Sequence, residues 1–394
     1  MDEPTAITVE PSRLSRQDAT GVSSAVSHGW REAEVVDVTV IMPTVFWTGT
    51  FERCARRVLR VLNDSAANAE VIFAFDGPPT PVPAWVDRPG VRCVSTGRRS
   101  GPAIARNAAA EVARGRVLFF VDADVELAAD AIDRVAEAFS ADPDMVCMLG
   151  AYDDEPAATG LVSSFRNLLH HHTHVAHRGR ADTFWTGCGA IRRSAFLDAG
   201  GFDAAWRHPM MEDVELGMRI AAQGGRIVLD PRLRCKSLKR WTLMSMVFED
   251  IAHRAQPWTH LIVSSRRLPA TLNIDWPSRL SGACAMLLVA CLVATSFLPH
   301  AAWMAGGLLL SLAVMNREFY LLCMRKGGLS CAVASFALHT LYFIYSSITF
   351  GWVVLEHLWL GACRSAAGRS RPAGRARLAG HAAAAAGVLS QIGR

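Results

Sequence analysis

The ten cysteines of this 394-residue sequence form no C-x-x-C pair and show no metal-ligand spacing. A cysteine-based metal site depends on such spacing, so none is predicted. Several of the cysteines, such as Cys284 and Cys331, lie in apolar segments. The pattern is typical of free thiols in a reducing compartment.

The sequence also lacks a strong basic excess. Its net charge of +5 at pH 7 is too small to argue for a nucleic-acid partner, and none is expected. The residues that begin the sequence, Met1-Asp2-Glu3-Pro4, bring neither a basic stretch nor an apolar stretch of the kind that a signal peptide needs. We therefore expect no signal peptide and a soluble part that stays in the cytoplasm.

Composition divides the chain. Up to about Arg267, apolar and charged segments alternate as they do in a soluble α/β domain, whereas 280–360 is nearly continuous apolar sequence. The first 35 residues are polar and show no periodic apolar pattern, as is typical of disorder. We predict a disordered leader at 1–35, a soluble domain at 36–267, a membrane domain at 268–362, and a basic, alanine-rich, disordered tail at 363–394.

The apolar part contains three pieces, at 280–298, 301–322 and 332–360, and the second run is expected to end near Met315. A membrane-spanning helix needs roughly 20 apolar residues, so two or three membrane segments are predicted. The first connection, Pro299-His300, carries no Lys or Arg and is expected outside the cell membrane. A third crossing would put the arginine-rich tail outside as well, against the positive-inside rule. Either the third piece re-enters the membrane or lies in the membrane interface, or the positive-inside rule fails for this protein. The sequence leaves these alternatives open.

The soluble part alternates strands and helices over short links. Apolar runs predict strands at 36–42, 70–75, 91–94 and 117–121, and helical spacing follows the first of them. Ser100-Gly101-Pro102 predicts the start of another helix, capped by Ser100, whose polar face carries Arg106 and Asn107. This order favours an α/β fold with a mostly parallel sheet and flanking helices.

Five histidines lie between His170 and His177, and such a cluster invites a metal interpretation. Their spacing resembles one exposed helical face, which favours a structural or surface role.

Two carboxylates one residue apart follow the most apolar strand. Asp122 and Asp124 come directly after the run Val117–Val121. Ligands gather at the carboxyl ends of strands in open α/β sheets, and hard divalent cations prefer oxygen ligands. The pair therefore suggests a site for a cation that carries a diphosphate. Two solvated aspartates in a turn are the alternative.

The soluble part resembles the membrane-anchored family 2 glycosyltransferases of the GT-A fold. The resemblance rests on the order of five short motifs between Val36 and Trp258, not on any one of them. They are Val40-Ile41-Met42-Pro43-Thr44, Phe75-Asp76-Gly77, Arg106-Asn107, Asp122-Ala123-Asp124, and Gly200-Gly201-Phe202-Asp203 with Glu212-Asp213. In the second motif, Phe75 replaces the first acid of the family's Asp-Asp-Gly-Ser turn and Pro78 its serine.

The resemblance implies a nucleotide-sugar donor site with Mg²⁺ or Mn²⁺ as cofactor. Pro43, Asp76, Arg106 and Asp122 would bind the donor, with Asp76 accepting from a base N–H and Arg106 supporting the acidic site. Asp124 would hold the metal, and Asp122 would face either the metal or the ribose. For Arg106 the alternative is a surface ion pair.

A hydroxyl acceptor is a poor nucleophile and needs a base on the face opposite the leaving group. Asp213 is the predicted base and Glu212 the alternative. Both could instead be acidic residues that the dipole favours at a helix N-terminus.

The frame Ser237-Leu238-Lys239-Arg240-Trp241 has serine where processive relatives have the glutamine of Gln-x-x-Arg-Trp, so a non-processive enzyme is expected. In it, Arg240 could contact the diphosphate and Trp241 stack on an acceptor sugar. Because both precede the membrane segments, either could instead be an interface anchor.

The predicted protein is a multi-pass, membrane-anchored, metal-dependent, inverting glycosyltransferase with a cytoplasmic catalytic domain. Its predicted partners are a nucleotide-sugar donor, a hydroxyl acceptor on a glycolipid or cell-envelope glycan, and membrane lipids. A polyprenyl-phosphate sugar synthase is the second interpretation, and a catalytically inactive membrane scaffold is the third. A nucleotidyltransferase is disfavoured because no glycine-rich phosphate loop follows the first strand. The donor sugar and its base are left open.

Overall fold

The computed structural model of the chain describes residues 7–8, 35–206, 211–265 and 274–366. The chain divides into two units, Met1–Asp153 with His174–Leu238, and Asp154–Thr173 with Lys239–Arg394. Most of the predicted leader and all of the predicted tail beyond residue 366 lie outside the described residues. Their predicted disorder therefore stays a prediction, as does the predicted division of the chain into four segments.

The first unit is built on one mixed sheet of ten strands. In chain order the strands are β1 (Ile7–Thr8), β2 (Val38–Thr44), β3 (Ala69–Phe75), β4 (Val91–Ser95), β5 (Val117–Val121), β6 (Val125–Leu127), β7 (Met145–Tyr152), β8 (Gly179–Ala181), β9 (Cys188–Arg192) and β10 (Arg226–Ser237). The helices are α1 (Gly49–Asp64), α2 (Pro102–Val112), α3 (Ala131–Ala141), α4 (Leu161–Ala176, which continues from the second unit), α5 (Arg193–Asp198) and α6 (Glu212–Ala222).

The strands lie in the order β1-β4-β3-β2-β5-β9-β7-β10-β6, and β8 pairs with β10. Strands β1, β4, β3, β2 and β5 run parallel, and so do β7 and β10. Strand β9 is antiparallel to both of its neighbours, and β6 and β8 are antiparallel to β10. The predicted α/β fold with a mostly parallel sheet is confirmed.

The central strands of the sheet are buried on both faces, as is typical of parallel strands joined by crossover helices. Every residue of β2 and β5 is buried, as continuous apolar strands in covered sheets are. Helix α1 begins after Thr48, whose side chain accepts from the Phe51 amide at 3.1 Å. Its apolar face packs on the sheet through Phe51, Val58 and others. The carboxyl ends of β2, β3 and β5 consequently meet at one edge.

A buried carboxylate ties the opposite edge of the sheet together. Glu70 is 1% exposed, and its Oε1 accepts from Thr39 Oγ1 at 2.8 Å and from the Arg114 amide at 2.7 Å. Its Oε2 accepts from Arg92 at 2.9 Å. Burial favours the protonated form, but the Arg114 amide and the Arg92 guanidinium outweigh it and lower the pKa of Glu70. This carboxylate therefore stabilises the fold when it is ionised.

We expect Glu70→Gln to lower the free energy of unfolding by about 2 kcal/mol at pH 7, because buried donors lose their acceptor. The melting temperature should fall by roughly 4–8 °C. Because the folded pKa is depressed, this deficit should shrink as the pH falls towards the pKa of Glu70. Tryptophan fluorescence during heating would measure it. Glu137→Gln, exposed on α3, is the control and should change nothing. A deficit that is the same at pH 7 and pH 4 would contradict the assignment.

Two details of the sequence interpretation are wrong around α2. The helix begins at Pro102 with Gly101 as its N-cap and no side-chain cap, so Ser100 does not cap it. The loop is held instead by Asp76, whose Oδ1 accepts from the Ser100 amide at 2.7 Å. Arg106 does not lie on a polar face either, since it is only 4% exposed. Long-range partners, which no local pattern reveals, decide both cases.

The histidines do not share one exposed face. His174 is 5% exposed, and its Nδ1 lies 2.7 Å from the Gly150 carbonyl oxygen. The prediction of an exposed face is therefore wrong for His174. Among the described residues no group of three or more His, Cys, Asp or Glu could hold a metal ion. The nine cysteines whose side chains are described are free thiols.

The second unit is helical. It contains 161–173 of α4, followed after residue 239 by α7 (Leu243–Asp250), a π-helical turn (Ile251–Ala255), α8 (Gln256–Ser265), α9 (Trp276–Ala294), α10 (Ala301–Met315) and α11 (Arg317–Ala366). By length and composition α9 and α11 could each cross a membrane, whereas α10 is shorter. The predicted end of the second apolar run near Met315 is confirmed. Helix α11 is broken only at Gly328, where φ is 72°.

Within this unit a buried ionic contact joins three helices. Arg166 of α4 lies 2.7 Å from Oδ1 of Asp250, the last residue of α7. Tyr345 of α11 donates to Asp250 Oδ2 at 2.6 Å. Asp250 is 3% exposed, so both contacts compensate a charge that would be costly to bury alone.

Candidate active site

The Asp-x-Asp turn lies where the sequence predicts it, at the carboxyl end of β5. Asp122 follows Val121 directly, and Asp124 precedes β6. Both side chains are half-buried. The Asp124 carbonyl oxygen accepts from the Leu238 amide at 2.8 Å, which fixes the turn against the end of β10. Two carboxylates are thereby presented at the sheet edge.

Arg106 joins this turn to a second acidic pair. Its Nη2 donates to Asp122 Oδ1 at 2.8 Å, and its Nη1 donates to Glu212 Oε1 at 2.8 Å. Burial disfavours the guanidinium charge, but Asp122 and Glu212 outweigh that cost and raise the pKa of Arg106. Because Arg106 stays charged while buried, it is a fixed bridge and not the surface ion pair considered above.

The acidic pair opens α6. Glu212 is buried against Arg106, whereas Asp213 is half-buried. Asp213 Oδ2 accepts from the Thr186 amide at 3.0 Å and from Thr186 Oγ1 at 3.2 Å, and Oδ1 accepts from the Val214 amide at 2.8 Å. Burial and then the Glu212 charge raise the pKa of Asp213 to about 7, against the opposing effect of Thr186 and Arg106. A carboxylate with that pKa suits proton transfer near neutral pH.

Close packing holds α6 at the site. A Cβ at Gly217 would collide with the backbone nitrogen of Phe184. Only glycine lets the helix approach this closely, and the approach places the first turn of α6 beside Thr186. At Gly187, an added Cβ would collide with the Trp185 ring.

Asp76 lies at the end of β3 and is 8% exposed. Its carboxylate accepts from the amides of Ser100 and Gly101, at 2.7 and 3.1 Å. Asp76 Oδ2 also accepts from the Gly101 amide, at 3.1 Å. The predicted role of Asp76 in binding a base N–H stays a prediction. Pro43 is buried in β2 beside Ala74 of β3, which brings its strand end to the same edge.

Three aromatic side chains pack against one another in the first unit, and sequence reasoning missed this cluster. Tyr152 meets the Trp185 ring edge-on at 5.1 Å, and His174 meets the same ring at 5.2 Å. Burial first, and then the charge of Asp124, raise the pKa of Tyr152. Thr186 was missed as well. No local pattern distinguishes these residues from ordinary core positions.

The last two predicted site residues, Arg240 and Trp241, belong to the second unit. Three cationic groups lie over the Trp241 ring: Lys239 at 4.2 Å, Arg166 at 5.5 Å and Arg254 at 5.9 Å. The Trp241 amide donates to Ser163 Oγ at 3.0 Å. Arg240 is exposed. The predicted roles of both residues in acceptor or diphosphate binding stay predictions.

The residues at the turn fit a divalent cation that arrives with a diphosphate. The chain offers Asp124 and Asp122 but no third ligating side chain among the described residues. Mg²⁺ is typically bound through one or two carboxylates together with substrate phosphates and water, and Mn²⁺ likewise suits carboxylate and water ligands. Of these two carboxylates, Asp122 gives its Oδ1 to Arg106.

Comparison with known proteins agrees with this geometry. Residues 39–200 match glycosyl transferase family 2. Among curated protein sequences, none matches the chain. A solved structure, "Mannosyltransferase PcManGT from Pyrobaculum calidifontis in complex with GDP-Man and Mn2+", is similar with a TM-score of 0.51 and 17% identity, over 81% of this chain and 88% of that one. At this identity the likeness concerns the fold, which is GT-A-like.

A second solved structure, "Crystal structure of GalNAc-T7 with UDP, GalNAc and Mn2+", has a TM-score of 0.39 and 18% identity, over 53% of this chain and 45% of that one. A score this low carries no argument. The matched family segment ends at residue 200, so α6 with Glu212 and Asp213 lies beyond it.

Proposed function

Since the chain contains a glycosyl transferase family 2 domain at residues 39–200, we propose that the protein is a membrane-anchored, metal-dependent, inverting glycosyltransferase. It moves one sugar from a nucleotide-sugar donor to a hydroxyl group of a glycolipid or cell-envelope glycan. The observation that carries this proposal is the Arg106 bridge. By binding both Asp122 and Glu212, Arg106 brings the half-buried Asp213 to the Asp-x-Asp turn.

The donor end of the site supplies charge. Asp124, with Asp122, would hold Mg²⁺ or Mn²⁺, which neutralises the negative charge that develops on a departing diphosphate. Arg106 holds Asp122 in place and adds a fixed positive charge beside the turn. Such charges act without reorganisation when the bond breaks, so they stabilise the transition state more than the ground state.

The acceptor end supplies the base. Asp213 takes the proton of the acceptor hydroxyl, whose oxygen forms a bond to the anomeric carbon as the bond from that carbon to the diphosphate oxygen breaks. The bonding electron pair leaves with the nucleoside diphosphate, and the configuration at the anomeric carbon inverts. Thr186 holds Asp213 through two hydrogen bonds, which fixes the direction of the carboxylate. Glu212 is bound to Arg106 and positions it.

Nucleoside diphosphate release tests the proposal directly. The full-length protein in detergent would be incubated with Mn²⁺ or Mg²⁺ and a panel of nucleotide sugars. GDP-mannose goes first, because it is bound in the similar mannosyltransferase structure. We expect release from one donor, faster with an acceptor lipid extract and abolished by EDTA. No release from any donor with either metal would refute the proposal.

A second function has an observation of its own. Cationic side chains surround the Trp241 ring, and two of them are partly exposed, Lys239 at 37% and Arg254 at 46%. Such a group would suit an anionic acceptor such as a polyprenyl phosphate. A phosphate oxygen needs no base, so this alternative makes Asp213 dispensable. The inactive scaffold is less well supported, because both acidic pairs are present and linked.

The proposed anchoring predicts how the protein leaves membranes. Helices α9 and α11 have the length and composition to cross a bilayer. If they do, the full-length protein should stay in the membrane pellet after a wash with about 1 M salt, which shortens the Debye length to about 3 Å and so weakens electrostatic binding. It should also stay there after a wash with alkaline carbonate. Detergent should release it. Release by salt or carbonate alone would contradict a spanning anchor and indicate a peripheral protein.

A further inference from the structure

The hairpin of α9 and α10 returns the chain to the side of the membrane from which it starts. Asn316, which follows α10 directly, donates from its Nδ2 to Ser281 Oγ at 3.1 Å, and Ser281 lies in the second turn of α9. A spanning helix needs roughly 20 apolar residues, and 239–275 contains no such run. The start of α11 therefore lies on the side where the sheet folds, called the catalytic side below.

The first part of α11 stays on the catalytic side. Lys326 Nζ lies 2.6 Å from Asp154 Oδ2, and Asp154 follows β7 by two residues. Chain connectivity keeps Asp154 with the sheet, so Lys326 is held there as well. The helix breaks at Gly328, shortly after this ion pair. Any crossing by α11 would therefore have to begin after Gly328.

Two contacts hold the middle of α11 on the same side. Tyr345 donates to Asp250 Oδ2 at 2.6 Å, at the end of α7. An added Cβ at Gly282, in the second turn of α9, would lie 2.8 Å from Ser347 Oγ. From Gly328 to Ser347 the helix covers about 28 Å, close to the thickness of a bilayer core of about 30 Å. Over that length α11 has reached only the end of α9 that lies on the catalytic side.

The later part of α11 follows α8. The His357 ring lies 5.0 Å from the ring of His260, which belongs to α8. With ten residues, α8 is too short to cross a bilayer. After His357 the sequence contains no further apolar run of about 20 residues. Contacts at the start, middle and end of α11 thus leave no stretch of it that is long enough to cross.

One face of α11 is nonetheless apolar and exposed. Ile348, Trp352, Leu355 and Trp359 recur at helical spacing and are 54–69% exposed, whereas Val353 on another face is fully buried. An exposed apolar stripe beside a face held by polar partners is typical of a helix that lies in the membrane interface, where tryptophan is enriched.

We propose that α11 lies along the membrane surface on the catalytic side and does not cross the bilayer, although its length and composition alone would allow a crossing. Its partner is the lipid bilayer, and the stripe of Ile348, Trp352, Leu355 and Trp359 enters the boundary between headgroups and acyl chains. Only the hairpin of α9 and α10 inserts. The arginines after residue 363 then stay on the side that the positive-inside rule favours. The inference rests on the membrane anchoring proposed above and adds its topology.

Depth measurements on the full-length protein in reconstituted bilayers would test this arrangement. A fluorescent amino acid would replace Ile348 or Trp359, one at a time, and lipids that carry nitroxides at known depths would quench it. The two positions are about 16 Å apart along the helix. We expect both at one depth, about 5–10 Å into the boundary between headgroups and acyl chains. Leu280 and Leu292, exposed on α9, are the matched pair and should differ in depth by about 15 Å. A difference of that size between Ile348 and Trp359 would overturn the proposal.

Sealed vesicles give an independent measurement. The full-length protein would carry the same protease-cleavable tag at either its N-terminus or its C-terminus. The N-terminal tag marks the catalytic side, because no apolar run of spanning length precedes the sheet. We expect the protease to remove both tags from the same side. Removal from opposite sides would overturn the topology while leaving the glycosyltransferase intact. A protein that salt or carbonate washes release would instead refute the anchoring itself.

Discussion

Asp213→Asn should lower kcat by about 10²–10⁴-fold while leaving donor affinity nearly unchanged, because a general base acts only as the proton leaves the acceptor. The amide keeps the shape of the carboxylate and can still accept from Thr186. In the parent, kcat/KM should fall as the pH drops below about 7, since Asp213 takes up a proton there. The residual activity of the variant should lack this dependence. Stopped assays of nucleoside diphosphate release from pH 5 to pH 9 would measure both.

The melting temperature distinguishes a general base at Asp213 from a charge that only stabilises the N-terminus of α6. The folded pKa of Asp213 is raised, so its ionisation above pH 7 opposes folding. The Asn variant should therefore melt at no lower temperature than the parent at pH 8. Glu212→Gln, which can still accept from Arg106, is the matched comparison and should lose less activity. A variant with normal kcat and a lower melting temperature would make Asp213 a helix-terminal charge, and normal kcat with normal stability would favour the polyprenyl-phosphate acceptor.

Asp124→Asn should abolish measurable turnover, a loss of about 10³-fold or more, because a bound cation supplies several kcal/mol of charge stabilisation. Nucleoside diphosphate binding should weaken in the presence of Mn²⁺, since a neutral amide is a poorer ligand for a hard cation. The fold should survive, because the contact from the Leu238 amide uses the main-chain oxygen of residue 124. Titration of nucleoside diphosphate with and without Mn²⁺ would measure the effect.

Asp130→Asn is the control for this change, as it removes an exposed carboxylate from the neighbouring helix start. It should leave both turnover and Mn²⁺-dependent binding as they are. If donor affinity in the parent were indifferent both to EDTA and to Asp124→Asn, the metal would have no place in the mechanism.

Much of the fold follows from local pattern. The apolar runs of β2, β3 and β5 identify strands because each is short, rich in β-branched or aromatic residues and closed by a polar or proline residue. Their alternation with helices favours a parallel sheet, and the carboxyl end of β5 then marks the position of Asp122 and Asp124. Errors arose where a distant group decides the outcome. Ser100 reads as a helix cap, but Asp76 holds that loop from 24 positions away.

Arg106 shows most clearly what could not be predicted from the sequence. The sequence by itself predicted a helix that carries Arg106 and a strand that ends at Asp122, because local pattern encodes both elements; only the family resemblance placed Arg106 beside that strand end. Only the tertiary structure decided that its second partner is Glu212, 106 positions away, and that Thr186 holds Asp213. Both contacts depend on β9 entering the sheet antiparallel between β5 and β7 and on Gly217 admitting α6. Local pattern sets the elements, whereas the order in which they pack sets which charges meet.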